Sequence, residues 1–137
     1  MPLPVIDETT IEEVALQGRQ LRWVVTKENS GAEYCTFATI QVAPRSRARP
    51  AHSHPAGEEV IYILNGHGRV LIGGEIQPVK AGCAVLFPKG IVHMLENLSD
   101  EEMKVACFFA PPAGFENYQM FEDIDFPEYK NASRPAP

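Results

Sequence analysis

Two histidines and a glutamate stand close together in the stretch PAHSHPAGEEV. His52 and His54 are two residues apart, so in an extended strand they point to the same face, with Cα atoms roughly 6.6 Å apart. Two imidazoles at this spacing can bind one metal ion at about 2.1 Å per bond. Glu59 follows a short turn and adds a carboxylate on the face it shares with Ile61 and Ile63. The pattern favours a divalent metal site over a solvated loop.

A further histidine, His93, follows a Pro-Lys-Gly turn in the stretch GCAVLFPKGIVHMLEN. A lone histidine in an apolar strand is more often a core residue than a metal ligand. Next to the first cluster, however, His93 becomes the candidate fourth ligand. The remaining histidine, His67, lies between two glycines and is predicted to be an exposed turn residue.

The elements that must position these residues are predicted to be strands. Short apolar, β-branched and aromatic runs alternate with Gly, Pro, Asn and Asp, which is typical of an all-β sandwich or barrel. Eight strands are predicted, over residues 21–26, 33–42, 59–64, 69–72, 76–79, 84–87, 92–97 and 103–110. The pairs Asn65-Gly66 and Gly73-Gly74 predict hairpins that join the third strand to the fourth and the fourth to the fifth.

Together, the two histidine stretches resemble the paired motifs of the cupin superfamily. The first motif is matched by His52, His54, Glu59 and Gly66, with Ser46 where the family has a glycine. The second motif is matched in full, by Gly82, Pro88, Gly90, His93 and Asn97. The resemblance implies a double-stranded β-helix, or jelly-roll barrel, with a metal inside one end. The ligands it implies are His52, His54, Glu59 and His93.

The domain organisation follows from the extent of this resemblance. We expect an N-terminal arm over residues 1–20, a cupin barrel over residues 21–110 and an aromatic-rich C-terminal extension over residues 111–137. The aromatic residues of the extension have no clear period, and we expect them to wrap over the barrel or over a neighbouring subunit. The last residues, NASRPAP, predict a disordered tail.

Three neutral imidazoles and one carboxylate predict one divalent transition metal per chain, with Fe, Mn, Ni, Co and Zn all open. Such a centre can bind substrate and dioxygen side by side, or polarise a substrate as a Lewis acid. We expect an enzyme acting on a small oxygen-bearing organic molecule, with dioxygenase-type chemistry as the leading hypothesis. The alternatives are a non-redox isomerase, cyclase or decarboxylase, or a lyase, and a non-catalytic small-molecule binding or sensor protein.

The predicted wall of the pocket is apolar. Ile61, Ile63 and Leu95 are expected to face the metal, which suits an enol, aromatic or quinol-like substrate better than a bare sugar. Arg69, inside a strand, is the candidate basic residue of the pocket. No catalytic acid or base can be assigned from the sequence. Some similar lyases carry a tyrosine two residues after the ligand glutamate, where this chain has Ile61.

Charge and composition exclude several other roles. The net charge of -6 and the pI of about 5.2 argue against nucleic-acid or anionic-membrane binding, because both need a basic surface. The first residues lack the pattern of a secretory signal, so we expect a cytoplasmic protein. Three widely spaced cysteines, Cys35, Cys83 and Cys107, are interpreted as small hydrophobic residues rather than as disulfide partners.

The run EVIYIL also predicts the oligomeric state, because it is apolar on both faces. One face is expected to meet the second sheet of the barrel, and a partner subunit is the simplest cover for Val60, Tyr62 and Leu64 on the other. We therefore predict a homodimer, with a mass about twice the 15.2 kDa of one chain in size-exclusion chromatography with light scattering. A mass near 15.2 kDa at micromolar concentration would contradict this prediction.

Overall fold

The computed structural model describes residues 4–132; residues 133–137 of the predicted tail lie outside this range. The strands are β1 (Val14–Leu16), β2 (Arg19–Val25), β3 (Thr36–Val42), β4 (Ala51–Ser53), β5 (Glu58–Ile63), β6 (His67–Ile72), β7 (Glu75–Lys80), β8 (Ala84–Phe87), β9 (His93–Asn97), β10 (Met103–Ala110) and β11 (Gln119–Phe121). The helices are α1 (Lys27–Ser30) and α2 (Pro127–Ala132), with 3-10 turns at Glu8–Thr10 and Phe115–Asn117. In this part of the chain no helix has the length and apolar character of a membrane span.

Two antiparallel sheets form the body of the structure, which confirms the prediction of an all-β jelly roll. Within residues 4–132, one sheet has the order β1-β2-β3-β10-β5-β8 and the other the order β11-β4-β9-β6-β7. Each of the eight predicted strands is present. The sequence analysis did not predict β1 and β11 and did not delimit β4, because runs of three residues are too short to show an alternating pattern.

The connection at Asn65-Gly66 differs from the prediction. β5 pairs with β10 and β8, whereas β6 pairs with β9 and β7, so these two residues carry the chain from one sheet to the other and the predicted hairpin is wrong. The Asn65 side chain instead bonds to the start of β10, donating to the carbonyl of Glu102 and accepting from the amide of Lys104. The second hairpin is confirmed, because Ile72 pairs with Glu75 across Gly73-Gly74.

The hydrophobic core lies between the two sheets. β5 shows the pattern clearly, since its residues alternate between exposed and buried, with Ile61 and Ile63 facing inward. Val105 and Phe109 of β10 and Leu95 of β9 pack into the same core. Burial of these apolar side chains is the main force that holds the sheets together.

The C-terminal extension covers the outer face of the five-stranded sheet of its own chain. Phe126 is fully buried there against Ala51, Leu71 and Met94. Arg69 stacks on the Phe126 ring, with its guanidinium carbon 4.2 Å from the ring centre, and pairs with the buried carboxylate of Glu96. Within the described residues the extension packs on the barrel of its own chain, which is one of the two arrangements that the sequence left open.

The outer face of the six-stranded sheet is different, because it exposes large apolar side chains. Val60, Tyr62, Leu86 and Phe108 are between 39% and 50% exposed. The strand register places Phe108 beside Val60, and Val60 beside Leu86, so the exposed side chains form a continuous patch. Such a patch is what the homodimer prediction requires, and the homodimer stays a prediction.

Asn97, at the end of β9, is the polar residue that joins several loops beneath the site. Its side chain is fully buried and donates to the carbonyls of Val42, Ala43 and Glu101, at 2.8 to 3.2 Å. The side-chain oxygen accepts from the amide and the hydroxyl of Ser99.

We predict that Asn97→Ala lowers the free energy of unfolding by about 3 kcal/mol, because it leaves several buried backbone groups without partners. Gln20→Ala is the control, since Gln20 is exposed in β2 and should change stability by no more than about 0.5 kcal/mol. Urea denaturation followed by fluorescence measures both. Equal losses in the two variants would contradict the assigned role of Asn97.

Candidate metal centre

Four side chains that could bind one metal ion converge between the two sheets. They are His52, His54, Glu59 and His93, all buried, and one ligand atom from each lies within 4.8 Å of the others. Two ligands of one ion at about 2.1 Å can be at most about 4.2 Å apart, so a contraction of a few tenths of an ångström closes the set on an ion.

The strands position these residues by register. His52 in β4 lies directly opposite His93 in β9, and His54 follows β4 on the same side. Glu59 comes from β5 in the other sheet. The turn before β9 is tied to the site, because the amide of Gly90 donates to the carbonyl of His54 at 3.0 Å. Gly90 has a φ of +77°, which favours glycine at this motif position.

Hydrogen bonds orient two of the imidazoles. Nδ1 of His52 lies 3.2 Å from the carbonyl oxygen of Pro50, and Nδ1 of His93 lies 3.2 Å from that of Ile91. A carbonyl can only accept, so each Nδ1 carries the proton and each Nε2 keeps a lone pair for a metal. Aromatic rings hold the same imidazoles in place, with Phe87 stacked on His93 at 3.9 Å and Tyr118 on His52 at 4.7 Å.

The remaining polar atoms of the cluster are not fully satisfied by the protein. Nε2 of His54 bonds to Oε1 of Glu59 at 3.0 Å, which leaves Nδ1 of His54 buried without a partner in the described residues. Nε2 of His93 lies 3.3 Å from the same oxygen but makes no hydrogen bond with it. Buried polar nitrogens without partners are costly, and a bound cation would satisfy Nε2 of His93. The donor set of three nitrogens and one oxygen fits a first-row divalent metal.

The electrostatics of the cluster favour the ligand forms of these residues. Burial, together with the nearby imidazole of His93, lowers the pKa of His52 from 6.5 to about 3, so the His52 imidazole is neutral at physiological pH. Burial raises the pKa of Glu59, but the imidazoles of His54 and His93 outweigh this effect and lower it from 4.5 to about 2. Neutral imidazoles and an ionised carboxylate are the forms that bind metals.

A cavity with a free volume of about 30 Å³ adjoins the cluster and is lined by His52, Glu59 and His93. This is space for roughly two water molecules. Of the predicted pocket residues, Ile61 and Leu95 lie in its wall.

Two predicted pocket residues lie elsewhere in the structure. Ile63 faces the core and is fully buried there, away from the cavity wall. Arg69 is on the outer face of the five-stranded sheet, where it pairs with Glu96 and Glu128. Successive side chains of β6 point to opposite faces of the sheet. Val70 points into the core, so its neighbour Arg69 must point outward.

Two polar residues that the sequence analysis did not assign also line the cavity, Tyr118 and Arg19. Tyr118 reaches it from the C-terminal extension, between the 3-10 turn at Phe115–Asn117 and β11. Arg19 is the first residue of β2 and only 7% exposed. The aromatic-rich stretch GFENYQMF was a signal that the extension packs on the barrel, but nothing in it singled out one tyrosine.

Comparisons with known proteins agree with this geometry. Residues 38–109 match the sequence model of the cupin domain. The polyketide synthase CurC of Streptomyces cyaneus is 29% identical over 109 residues, which cover 80% of this chain and 70% of that protein.

Two solved structures share the fold. The nucleoside dehydratase Pac13 of Streptomyces superposes with a TM-score of 0.71 at 14% identity, over 85% of this chain and 89% of its own. The polyketide cyclase RemF of Streptomyces resistomycificus superposes with a TM-score of 0.65 at 20% identity, over 77% of this chain and 78% of its own.

We predict that the protein, purified without chelators or an affinity tag, contains a divalent metal that the double variant His52→Ala/His93→Ala loses. Removing two imidazoles should weaken metal binding by about 100-fold or more. Elemental analysis gives the metal content, and titration with Zn²⁺ or Mn²⁺ gives the affinity. His67→Ala is the control, because His67 is exposed at the start of β6 and should leave the metal content unchanged. Stoichiometric metal in the double variant would show that the ligands are wrongly assigned.

Proposed function

The chain belongs to the cupin domain family, and on this premise we propose that it is a metal-dependent enzyme catalysing a non-redox cyclisation or dehydration of a small oxygen-bearing organic molecule. The observation that carries the proposal is the buried cluster of three histidines and Glu59 beside an apolar cavity that also contains a tyrosine. The relative from Streptomyces cyaneus is described as a polyketide synthase, which supports a substrate with carbonyl or enol groups. The two solved structures support the fold only.

His52, His54, Glu59 and His93 are the proposed ligands, for one divalent transition metal per chain. When bound, such an ion supplies a Lewis acid that polarises a carbonyl or enol oxygen. The protein's own contribution is a rigid and dry site. Phe87 and Phe109 pack against the imidazoles of His93 and His54, and with Ile61 and Leu95 they exclude bulk water from the reacting groups.

Tyr118 is the proposed proton carrier. Burial and the nearby charge of Glu59 raise the pKa of Tyr118 well above its usual value of 10, so the phenol keeps its proton at neutral pH. A protonated phenol in the cavity can donate to a departing hydroxyl group or to an enolate, and recover the proton afterwards. Burial and the charge of Glu59 also raise the pKa of the Cys107 thiol, which therefore stays protonated and is not a nucleophile.

The dioxygenase hypothesis from the sequence requires a redox step that consumes oxygen, and the proposed non-redox reaction does not. Oxygen dependence is therefore the property that separates the two reaction classes.

We also propose that the protein is a homodimer through the exposed patch of Val60, Tyr62, Leu86 and Phe108, because burying these apolar side chains in an interface stabilises both subunits.

We expect the metal-loaded protein to convert aromatic β-polyketone analogues at the same rate in air and under nitrogen, because a Lewis-acid reaction consumes no oxygen. The protein is loaded separately with Mn²⁺, Fe²⁺, Co²⁺, Ni²⁺ and Zn²⁺, and assayed on these analogues and on enediols and catechols. An oxygen electrode and mass spectrometry follow each reaction. The expected product has the substrate mass or has lost one water. Products that gain two oxygen atoms only in air would overturn the proposal in favour of a dioxygenase.

Tyr118→Phe tests the proton carrier in the same assay. It removes the hydroxyl but keeps the ring on His52, so turnover should fall about 100-fold or more while the metal content stays the same. Tyr62→Phe is the matched control, because Tyr62 is 45% exposed on the outer face of β5. Equal turnover in Tyr118→Phe and the wild type would remove Tyr118 from the mechanism.

A further inference from the structure

Arg19 places a positive charge inside the barrel, beside the candidate metal centre. It begins β2, is only 7% exposed, and lines the same cavity as His52, Glu59 and Tyr118. The mechanism proposed above gives this cation no role. An arginine in such a position therefore needs a physical explanation of its own.

The guanidinium of Arg19 has backbone partners but no carboxylate. Nη1 donates to the carbonyl oxygens of Gln17 at 3.2 Å and of Arg49 at 3.1 Å. Within residues 4–132 no acid makes a direct ion pair with Arg19, although Glu59 in the same cavity attracts it electrostatically. Four other arginines have acidic partners: Arg22 with Glu13, Arg45 with Asp100, Arg47 with Asp125 and Arg69 with Glu96. Arg49 has no such ion pair within residues 4–132, but it is only partly buried. Arg19 is more deeply buried than these four arginines, and yet no acid in the described residues makes an ion pair with it.

A buried guanidinium without a direct ion-pair partner is energetically unfavourable. Burial lowers the pKa of Arg19, but arginine remains protonated in proteins, so the charge stays in the cavity. Two carbonyls satisfy part of its hydrogen-bonding capacity and none of its charge. Glu59 lies in the same cavity but makes no direct ion pair with Arg19, so a ligand with a carboxylate would supply the direct contact that Arg19 lacks.

We propose that Arg19 binds the carboxylate of a small organic acid whose carbonyl or hydroxyl oxygen lies at the cluster of three histidines and Glu59. The proposal rests on the function proposed above and defines its substrate class. Guanidinium and carboxylate form short, charge-assisted hydrogen bonds, and these are strong where water is excluded. A carboxylate at Arg19 also orients the rest of the ligand, because the two ends of the molecule are then held at different points of one cavity.

The charge balance of the cavity supports an anion over a neutral ligand. Glu59 and Arg19 carry opposite charges, so together they add no net charge to the cavity. A divalent ion at the cluster then leaves a net positive cavity with apolar walls, and charges interact more strongly there than in water. A neutral sugar would leave this charge uncompensated, whereas a carboxylate reduces it.

The size of the cavity limits the acid further. A free volume of about 30 Å³ holds few atoms, so the cavity has room for small ligands only. The smallest compounds that carry both a carboxylate and a second oxygen are therefore the appropriate test ligands.

The experiment compares glycolate with glycolamide, its neutral amide, by isothermal titration calorimetry on the Zn²⁺-loaded protein. The two compounds have nearly the same size and share the hydroxyl group, and they differ in charge. We expect the wild type to bind glycolate about 10-fold or more tighter than glycolamide, and Arg19→Gln to lose this preference by lowering the affinity for glycolate alone. Arg19→Lys should restore part of the preference, since it keeps the charge.

Arg22→Gln is the matched control, because Arg22 lies in the same strand but pairs with Glu13 and donates to Gln41. This variant should bind glycolate like the wild type. The metal content of each variant, measured by elemental analysis, shows whether the cluster is intact. A purely structural role for Arg19 would lower the melting temperature of Arg19→Gln without changing the ratio of the two affinities.

Two results would overturn the proposal. The first is seen in the wild type alone: equal affinity for glycolate and glycolamide, or no measurable binding of glycolate at millimolar concentration. The other is an undiminished glycolate preference in Arg19→Gln that retains its metal, which would place the carboxylate on the metal alone. Neither result touches the proposed non-redox function, which is tested by oxygen-independent turnover.

Discussion

The charge of Glu59, held between two sheets in an apolar interior, is the constraint on which the site depends. An isolated carboxylate in such surroundings would take up a proton rather than remain ionised. Here the hydrogen bond from His54 helps to keep it ionised, and His54 directly follows β4 of the opposite sheet. The cluster therefore joins the two halves of the barrel, and it forms only where both sheets are in the correct register.

The C-terminal extension meets the barrel at two different places. On the outer face of the five-stranded sheet it is anchored by Phe126 and by the pair of Arg47 with Asp125, whose atoms lie 2.7 Å apart. Upstream of this anchor, the same segment brings Tyr118 against the imidazole rings of His52 and His54. The anchor holds the segment on the outer face of the sheet, and Tyr118 forms part of the cavity wall.

The parts of the structure that could be predicted are those with local signals. Apolar, β-branched and aromatic runs between turn residues predicted Met103–Ala110 and Ala84–Phe87 with the bounds that the structure has, because such runs are local signals of a strand. The sequence also indicated the turn at Asn65-Gly66, but it did not show which strands the flanking segments pair with. Which strands pair depends on contacts between residues far apart in the chain, and glycine in a turn carries no information about them. For the same reason, the sequence did not show to which face of the sheet the Arg69 side chain points.

The sequence by itself determined the fold family and the four residues of the candidate metal cluster, because ligand spacing and strand period are properties of short segments. The tertiary structure decided what shares the cavity with them. Arg19 lies before the first motif and Tyr118 after the last, and neither has a local pattern that marks it as a pocket residue. Only the packing of β2 and of the C-terminal extension against the barrel brings a cation and a phenol to the same enclosed space.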